Sequence, residues 1–393
     1  MDITQPLALL GGLSPQAFMK RHWQKKPLLI RNAVPGFNSE VAASGAGGGP
    51  LLARAALFEL AANDGVESRL VAQVVGKGTG KPEWQLKNGP FQRRSLPALK
   101  QPNWTLLVQG LDLHRDGIRA LMDQFRFVPD ARLDDIMASY ATPGGGVGPH
   151  FDSYDVFLLQ VLGRRRWQIS QQKDLTLVDG APLKILANFV PEQTYVLEPG
   201  DMLYLPPRCA HDGVALDECI TYSIGFQAPK RGDLARELLL RLADDAPDEV
   251  GPALYGDAKQ AAVSSPGEIP LQLHEFAQHA LARAVRDPAV LARALGELLT
   301  EPKSNVWFDA GGAGRASNFS KGRMELDRRT RMMFDAQHIF INGESFSASG
   351  RDATLMKRLA DGRFLDARDL GRCSADARSL LGTWIEAGWI HER

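Results

Sequence analysis

His150 and Asp152 stand two residues apart behind Thr142-Pro143-Gly144-Gly145-Gly146-Val147-Gly148-Pro149. In an extended strand, residues so spaced project from one face. An imidazole and a carboxylate placed this way can grip a metal ion from one edge. The pair alone is a weak sign, because a chain with 8 histidines and 23% charged residues produces such a spacing about once by chance. A second pair, His114-Arg115-Asp116, falls where a strand gives way to a helix near Gly117, which makes Asp116 a helix cap. What singles out His150 and Asp152 is His211, 59 residues beyond Asp152 and preceded by Glu198-Pro199-Gly200-Asp201 and Tyr204-Leu205-Pro206-Pro207. Pro-Gly-Asp marks a turn, Met202 to Leu205 a strand, and His211 is expected just past its end. Two imidazoles and one carboxylate form the facial triad that suits non-haem Fe(II), leaving positions open for a cosubstrate and O2. A zincin site is excluded, since His274-Glu275 is followed by His279 and not by a histidine four residues after His274.

Gly163-Arg164-Arg165-Arg166-Trp167 comes next, a turn glycine leading three cations into a strand. Alternation sends Arg165 opposite to Arg164 and Arg166, so at least one guanidinium faces inward. A buried guanidinium needs an anion. A dicarboxylate cosubstrate supplies one, because the planar fork binds a carboxylate bidentately while the far end of the molecule chelates iron.

These residues need a rigid frame. From Trp104 to about Phe226 short apolar runs alternate with Gly and Pro: Trp104 to Gln109, Val156 to Leu162, Trp167 to Ser170, Tyr195 to Leu197, Met202 to Leu205 and Ile220 to Phe226. That pattern reads as a β-sandwich or barrel. Ahead of it, Ser14-Pro15 opens a helix through Trp23, and a Gly/Ala loop runs from Ser44 to Pro50. After Lys230 the period turns helical. Leu273, Phe276, Ala277, Ala280, Leu281 and Ala284 form one apolar stripe, and beyond an Asp287 cap with Pro288, Val290 to Leu299 form another. The stripes can pack on the barrel or on a second copy of the chain; their length and their place outside the barrel favour a homodimer. A Gly/Ser/Asn-rich linker spans about Glu301 to Gly322. The last 70 or so residues have a winged-helix-like order, with an Asn342-Gly343 hairpin turn and helices at about Asp352 to Ala360 and Ala375 to Glu386. The final helix sets Asp376 and Glu386 against Arg378 and makes a poor recognition helix, so DNA binding is not expected.

Composition agrees with this outline. The 393 residues have room for two or three domains, and 46 basic against 46 acidic residues leave no global field for nucleic acid or an anionic membrane. Cys209, Cys219 and Cys373 match no paired metal spacing and read as free thiols in a reducing compartment. With Asp2 at the start and no apolar run of membrane-spanning length, the expectation is a cytoplasmic protein.

Taken together, these segments resemble the JmjC-type cupins, and among them the bacterial ribosomal oxygenases. The resemblance is carried by Trp23 to Ile30, Leu106 to Gln109, Pro143 to Gln160, Gly163 to Trp167, Pro199 to Pro207 and Tyr222 to Phe226. It extends over essentially the whole chain. It implies an α+β fold: a JmjC double-stranded β-helix (cupin jelly roll) with N-terminal additions over 1-228, a helical dimerisation region over 229-302 and a winged-helix-like domain over 303-393. By position, His150, Asp152 and His211 would be the Fe(II) ligands, and Arg165 the anchor for the distal carboxylate of 2-oxoglutarate. A serine commonly assists that arginine. Ala141 occupies its place here, with Ser139 and Thr142 nearby, and Thr221 stands where a related enzyme carries an asparagine. The implied activity is O2-dependent hydroxylation of an arginine side chain in a 50S ribosomal protein, the one numbered sixteen, with succinate and CO2 as coproducts. A substrate arginine needs a carboxylate near the mouth, and Asp155 and Asp212 are the candidates, with turn capping as their alternative role. Competing readings are histidyl hydroxylation or demethylation of a basic protein, a non-catalytic cupin sensor joined to a DNA-binding wing, and a cupin sugar isomerase. The last leaves Arg165 and the appended domains without a purpose.

Overall fold

The computed structural model describes residues 2–35, 52–75, 82–309 and 322–393; the loop expected at Ser44 to Pro50 and most of the linker expected after Glu301 lie outside the described residues. The chain forms two compact units, Met1–Ala228 and Pro229–Arg393, so the segments 229-302 and 303-393 share one unit.

Among the described residues the first unit holds eleven strands: β1 (Leu28–Ile30), β2 (Ser68–Val75), β3 (Pro82–Asn88), β4 (Trp104–Val108), β5 (Leu133–Ala141), β6 (Val156–Leu162), β7 (Arg165–Ser170), β8 (Gln193–Leu197), β9 (Met202–Leu205), β10 (Ala210–Ala215) and β11 (Cys219–Phe226). An eight-stranded sheet in the order β1-β9-β6-β11-β5-β4-β2-β3 packs on a three-stranded sheet, β10-β7-β8. Together they make the jelly roll.

The pleat explains why β6 and β9 read as unbroken apolar runs. On β6, Val156 and Leu158 turn inward, joining Trp167, Ile169, Leu197, Leu203 and Leu205 between the sheets. The alternate residues Phe157, Leu159 and Val161 turn outward onto Phe18, Trp23 and Phe125 of the helical layer. A strand buried on both faces needs apolar residues at every position. On β11, Ile220, Tyr222, Ile224 and Phe226 likewise face the helical layer, which leaves Thr221 inward. Ser139 on β5 and Gln160 on β6 share that inward side and are buried.

Two local expectations are corrected. The helix Asp116–Asp123 has Arg115 as its N-cap, so Asp116 is its first residue and acts on the helix dipole, not as a cap. His211 lies not at the very end of β9 but inside the next strand, β10, which pairs with β7.

In the second unit come the helices Arg231–Val250, Leu271–Ala284 and Pro288–Thr300. The last is capped by Asp287, whose carboxylate accepts from the Ala289 N–H at 2.8 Å. Gly296 of this helix lies so close to Phe340 that a Cβ would come within 2.3 Å of its ring, which ties the helix to the C-terminal hairpin. That hairpin turns at Asn342 (φ 49°) and Gly343 (φ 89°), the left-handed pair of a type I′ turn. Helices Gly350–Gly362 and Ala375–Glu386 close a core around Leu359, Leu381 and Trp384. No helix among the described residues is long and apolar enough to cross a membrane.

Candidate active site

The Gly-rich segment before His150 has to thread between strands. A Cβ on Gly146 would meet the Gly213 carbonyl oxygen at 2.5 Å, and Gly148, at φ +79°, lies against Trp84. Only glycine tolerates both that approach and that backbone. The thread ends at His150, which pairs with His211 in a single antiparallel bridge; the N–H groups of each donate to the other's carbonyl at 2.9 and 2.8 Å. His150 and Asp152 therefore sit in a bridged loop, not in the regular strand expected.

One ligand-type atom from each of His150, Asp152 and His211 lies within 4.8 Å of the others. Asp152 Oδ2 is 3.7 Å from His211 Nε2, and the two imidazole centroids are 4.2 Å apart. The other ring nitrogens are already engaged: His150 Nδ1 with the Gly148 carbonyl at 2.8 Å and His211 Nδ1 with the Cys209 carbonyl at 3.0 Å. A carbonyl can only accept, so each Nδ1 carries the proton and each Nε2 lone pair is left for a metal. Burial, followed by the neighbouring His150, pushes the His211 imidazole down to about 4, so it is neutral near pH 7, as ligation requires. The Arg208 N–H donates to the Asp152 carbonyl at 2.7 Å and holds the third ligand's backbone.

Across the strand pair, Ile169, Trp167 and Arg165 of β7 oppose His211, Gly213 and Ala215 of β10. Arg165 shares the inward parity of Trp167 and Ile169, and is 3% exposed. Arg164 is exposed and pairs with Asp217 at 2.9 Å. Gly213 exists to admit Trp167, whose ring a Cβ there would approach to 2.5 Å.

Arg165 Nη1 donates to Ser139 Oγ at 3.1 Å. Among the described residues its Nε and Nη2 are buried without a partner, as are Trp167 Nε1 and Thr105 Oγ1. Buried polar atoms are nearly always paired, so this group of inward donors asks for an acceptor-rich ligand. A dicarboxylate fits that demand, and the His-Asp-His set fits a divalent iron with open positions. Thr105 is not announced by the sequence, because a lone inward Thr on an apolar strand carries no signal. Thr142 Oγ1 is occupied with the Trp104 main chain at 3.4 Å. Thr221 Oγ1 donates to Gln160 Oε1 at 2.8 Å, and Gln160 Nε2 in turn holds the Leu162 and Gly163 carbonyls of the turn before Arg165.

The two candidate substrate carboxylates are placed elsewhere. Asp155 is fully buried, accepting from Tyr204 Oη at 2.6 Å and Gln24 Nε2 at 3.2 Å and facing Arg132 at 3.4 Å. It fastens the N-terminal layer to the sheet and does not line the mouth. Asp212 follows His211 on β10 and so points to the other face of that sheet, where burial raises its carboxyl.

Comparison with known proteins follows this geometry closely. Residues 120–234 match the JmjC domain and residues 278–391 the ROXA-like winged helix. Ribosomal protein uL16 3-hydroxylase of Escherichia coli is 34% identical over 293 residues, covering 74% of this chain and 72% of that protein. A probable ribosomal oxygenase of Haemophilus influenzae is 34% identical over 235 residues, 56% of this chain and 52% of that one. The structure of Escherichia coli YcfD, described as a ribosomal oxygenase in complex with cobalt and 2-oxoglutarate, superposes with a TM-score of 0.78 at 28% identity, over 97% of this chain and 98% of that one.

Proposed function

Because this chain belongs to the JmjC-domain ribosomal oxygenases, which depend on Fe(II) and 2-oxoglutarate, we propose that it hydroxylates an arginine side chain of a 50S ribosomal protein of the uL16 type. The observation that carries the reading is the His150–Asp152–His211 cluster facing a buried Arg165 with two unpaired N–H donors, in a chain 34% identical to a uL16 hydroxylase.

In this reading His150 Nε2, His211 Nε2 and an Asp152 oxygen hold the iron, and the carbonyls of Gly148 and Cys209 keep both rings in the ligating tautomer. Iron bound there would supply the O2 activation that couples oxidation of 2-oxoglutarate, to succinate and CO2, with hydroxylation of a substrate C–H bond. Arg165 binds the distal carboxylate of 2-oxoglutarate through the fork that is otherwise unpaired. Ser139 fixes that fork, taking the helper role, while Thr142 serves the strand. Gln160, oriented by Thr221, pins the turn that delivers Arg165. The apolar inner walls of β6 and β9 keep bulk water from the reacting centre. The exposed apolar side chains Leu239, Leu240, Leu271, Leu281 and Leu291 of the three helices support a homodimer in which a second copy covers them.

The test is succinate formation by anaerobically purified, Fe(II)-loaded protein given 2-oxoglutarate, O2 and ribosomal peptides. Peptide-stimulated turnover with one oxygen gained on an arginine of the uL16-type peptide, lost in His150→Ala and Arg165→Ala, is the expected result. Oxygen found on a histidine instead would move the protein to the histidyl hydroxylases.

A further inference from the structure

A cavity of about 380 Å³ opens at the turn that leads into β10. Its wall includes Lys25, Lys173 and Arg208 together with Gln24, Pro206 and Pro207, and no carboxylate. Lys25 Nζ donates to the main-chain carbonyl of Lys20 at 2.6 Å, so its charge is held in place without being neutralised. Arg208 rests over the Phe151 ring at 5.8 Å; among the described residues neither it nor Lys173 has an anionic partner. The two carboxylates flanking this loop keep their charge but bond neutral groups and none of the three cations, Asp174 with Thr176 and Asn188, Glu192 with Ser170 and the Gln171 N–H.

The backbone adds an independent sign. Cys209 N–H donates to the Pro206 carbonyl, closing a turn whose third residue, Arg208, has φ +66°. That position of a type II turn favours glycine, so an arginine there is strained. Gln24, on the facing wall, is also left-handed, at φ +55°. Two non-glycine residues of this cavity's wall thus hold left-handed backbone.

We propose that this cavity binds a phosphate group. Two ammonium point charges and one guanidinium fork match a phosphate's several oxygens better than a carboxylate's two. The volume exceeds what a bare phosphate fills, which leaves room for the sugar of a phosphodiester. The source is either an RNA strand or free inorganic phosphate.

The test uses the full chain with Fe(II) and saturating 2-oxoglutarate under anaerobic conditions, so that Arg165 is blocked. A labelled single-stranded oligoribonucleotide is followed by anisotropy and inorganic phosphate by calorimetry, at several salt concentrations. Arg208→Gly suits the turn's backbone, and keeps the N–H that holds Asp152 while deleting the cation. Lys173→Gln lies outside the turn and serves as an independent variant. The expected result is binding that weakens several-fold in each variant and about tenfold or more in the double variant, with the salt slope reduced by about one per cation removed. Oligonucleotide binding displaced by phosphate identifies the RNA source; variant-sensitive binding of phosphate alone identifies the free anion. No binding of either probe, or binding that the double variant leaves unchanged, overturns the proposal.

Discussion

Replacing Arg165 by methionine should make the protein more stable without 2-oxoglutarate and unable to respond to it. The guanidinium is 3% exposed, with Nε and Nη2 unpaired. Leaving such donors buried costs about 1–3 kcal/mol, and methionine of similar length removes that cost. The Arg165–Ser139 bond at 3.1 Å is lost with it, which subtracts about 1 kcal/mol. A net gain of about 1 kcal/mol corresponds to a Tm rise of roughly 2–4 °C for a unit of this size. With 2-oxoglutarate the order reverses. Two charge-assisted bonds at roughly 1.5–3 kcal/mol each imply a Kd at least ~100-fold weaker. Wild type at 100 times its Kd gains about 2.7 kcal/mol from the ligand, and the variant at the same concentration gains only a few tenths. Anaerobic thermal unfolding with Fe(II), with and without 2-oxoglutarate, reads both effects. If Arg165→Met melts below wild type in the absence of 2-oxoglutarate, or is stabilised by it as much as wild type, the guanidinium is structural and the cosubstrate assignment fails.

Three other substitutions separate architecture from chemistry. Gly213→Ala places a methyl 2.5 Å from the Trp167 ring; overpacking should cost about 1–3 kcal/mol and weaken iron binding through the adjacent His211, as urea denaturation and iron titration would show. Asp155→Ala strips the partner from buried Tyr204 and from the more exposed Gln24 and Arg132, so stability should fall by about 1–3 kcal/mol. The peptide KM should not move, and a selective rise in KM would return Asp155 to substrate binding. In the second unit burial alone would raise the Asp327 carboxyl, but hydrogen bonds from Arg329 and His391, both at 2.8 Å, outweigh it and bring it down to about 2. A depressed carboxylate stabilises above its unfolded value of 3.8 and loses that contribution as pH falls toward 2. Asp327→Asn should therefore flatten the acid limb of the stability curve below about pH 4, measured by denaturant titration.

Which parts of the molecule could be read beforehand depends on where each strand buries its side chains. β6 and β9 were legible because both of their faces are dry. β10 was not: Ala-His-Asp-Gly-Val-Ala carries no large apolar residue, since the space opposite Gly213 is filled by Trp167 from the neighbouring strand. β5 was missed for a related reason, its inward side bearing Ser139 for the arginine in place of an apolar residue. The ligands and Arg165 stood out because their chemistry needs particular residue types at particular spacings. Asp155 and Asp212 were nominated by closeness in sequence to a ligand, which the pleat does not respect: one step along β10 reverses the direction of the side chain. The role of Ser139 rests on register across β5, β11 and β6, which no local pattern encodes.

The reciprocal bridge between His150 and His211 has a consequence for metal supply. Both coordinating rings are oriented by bonds to main-chain carbonyls, so the fold and not the guest sets the geometry of the donor set. For a site of imidazole and carboxylate donors, intrinsic affinity rises from iron(II) toward copper and zinc. Discrimination in favour of iron must then come from the ions the cell makes available, and mis-metallation, more than unfolding, becomes the vulnerability of this protein under metal stress.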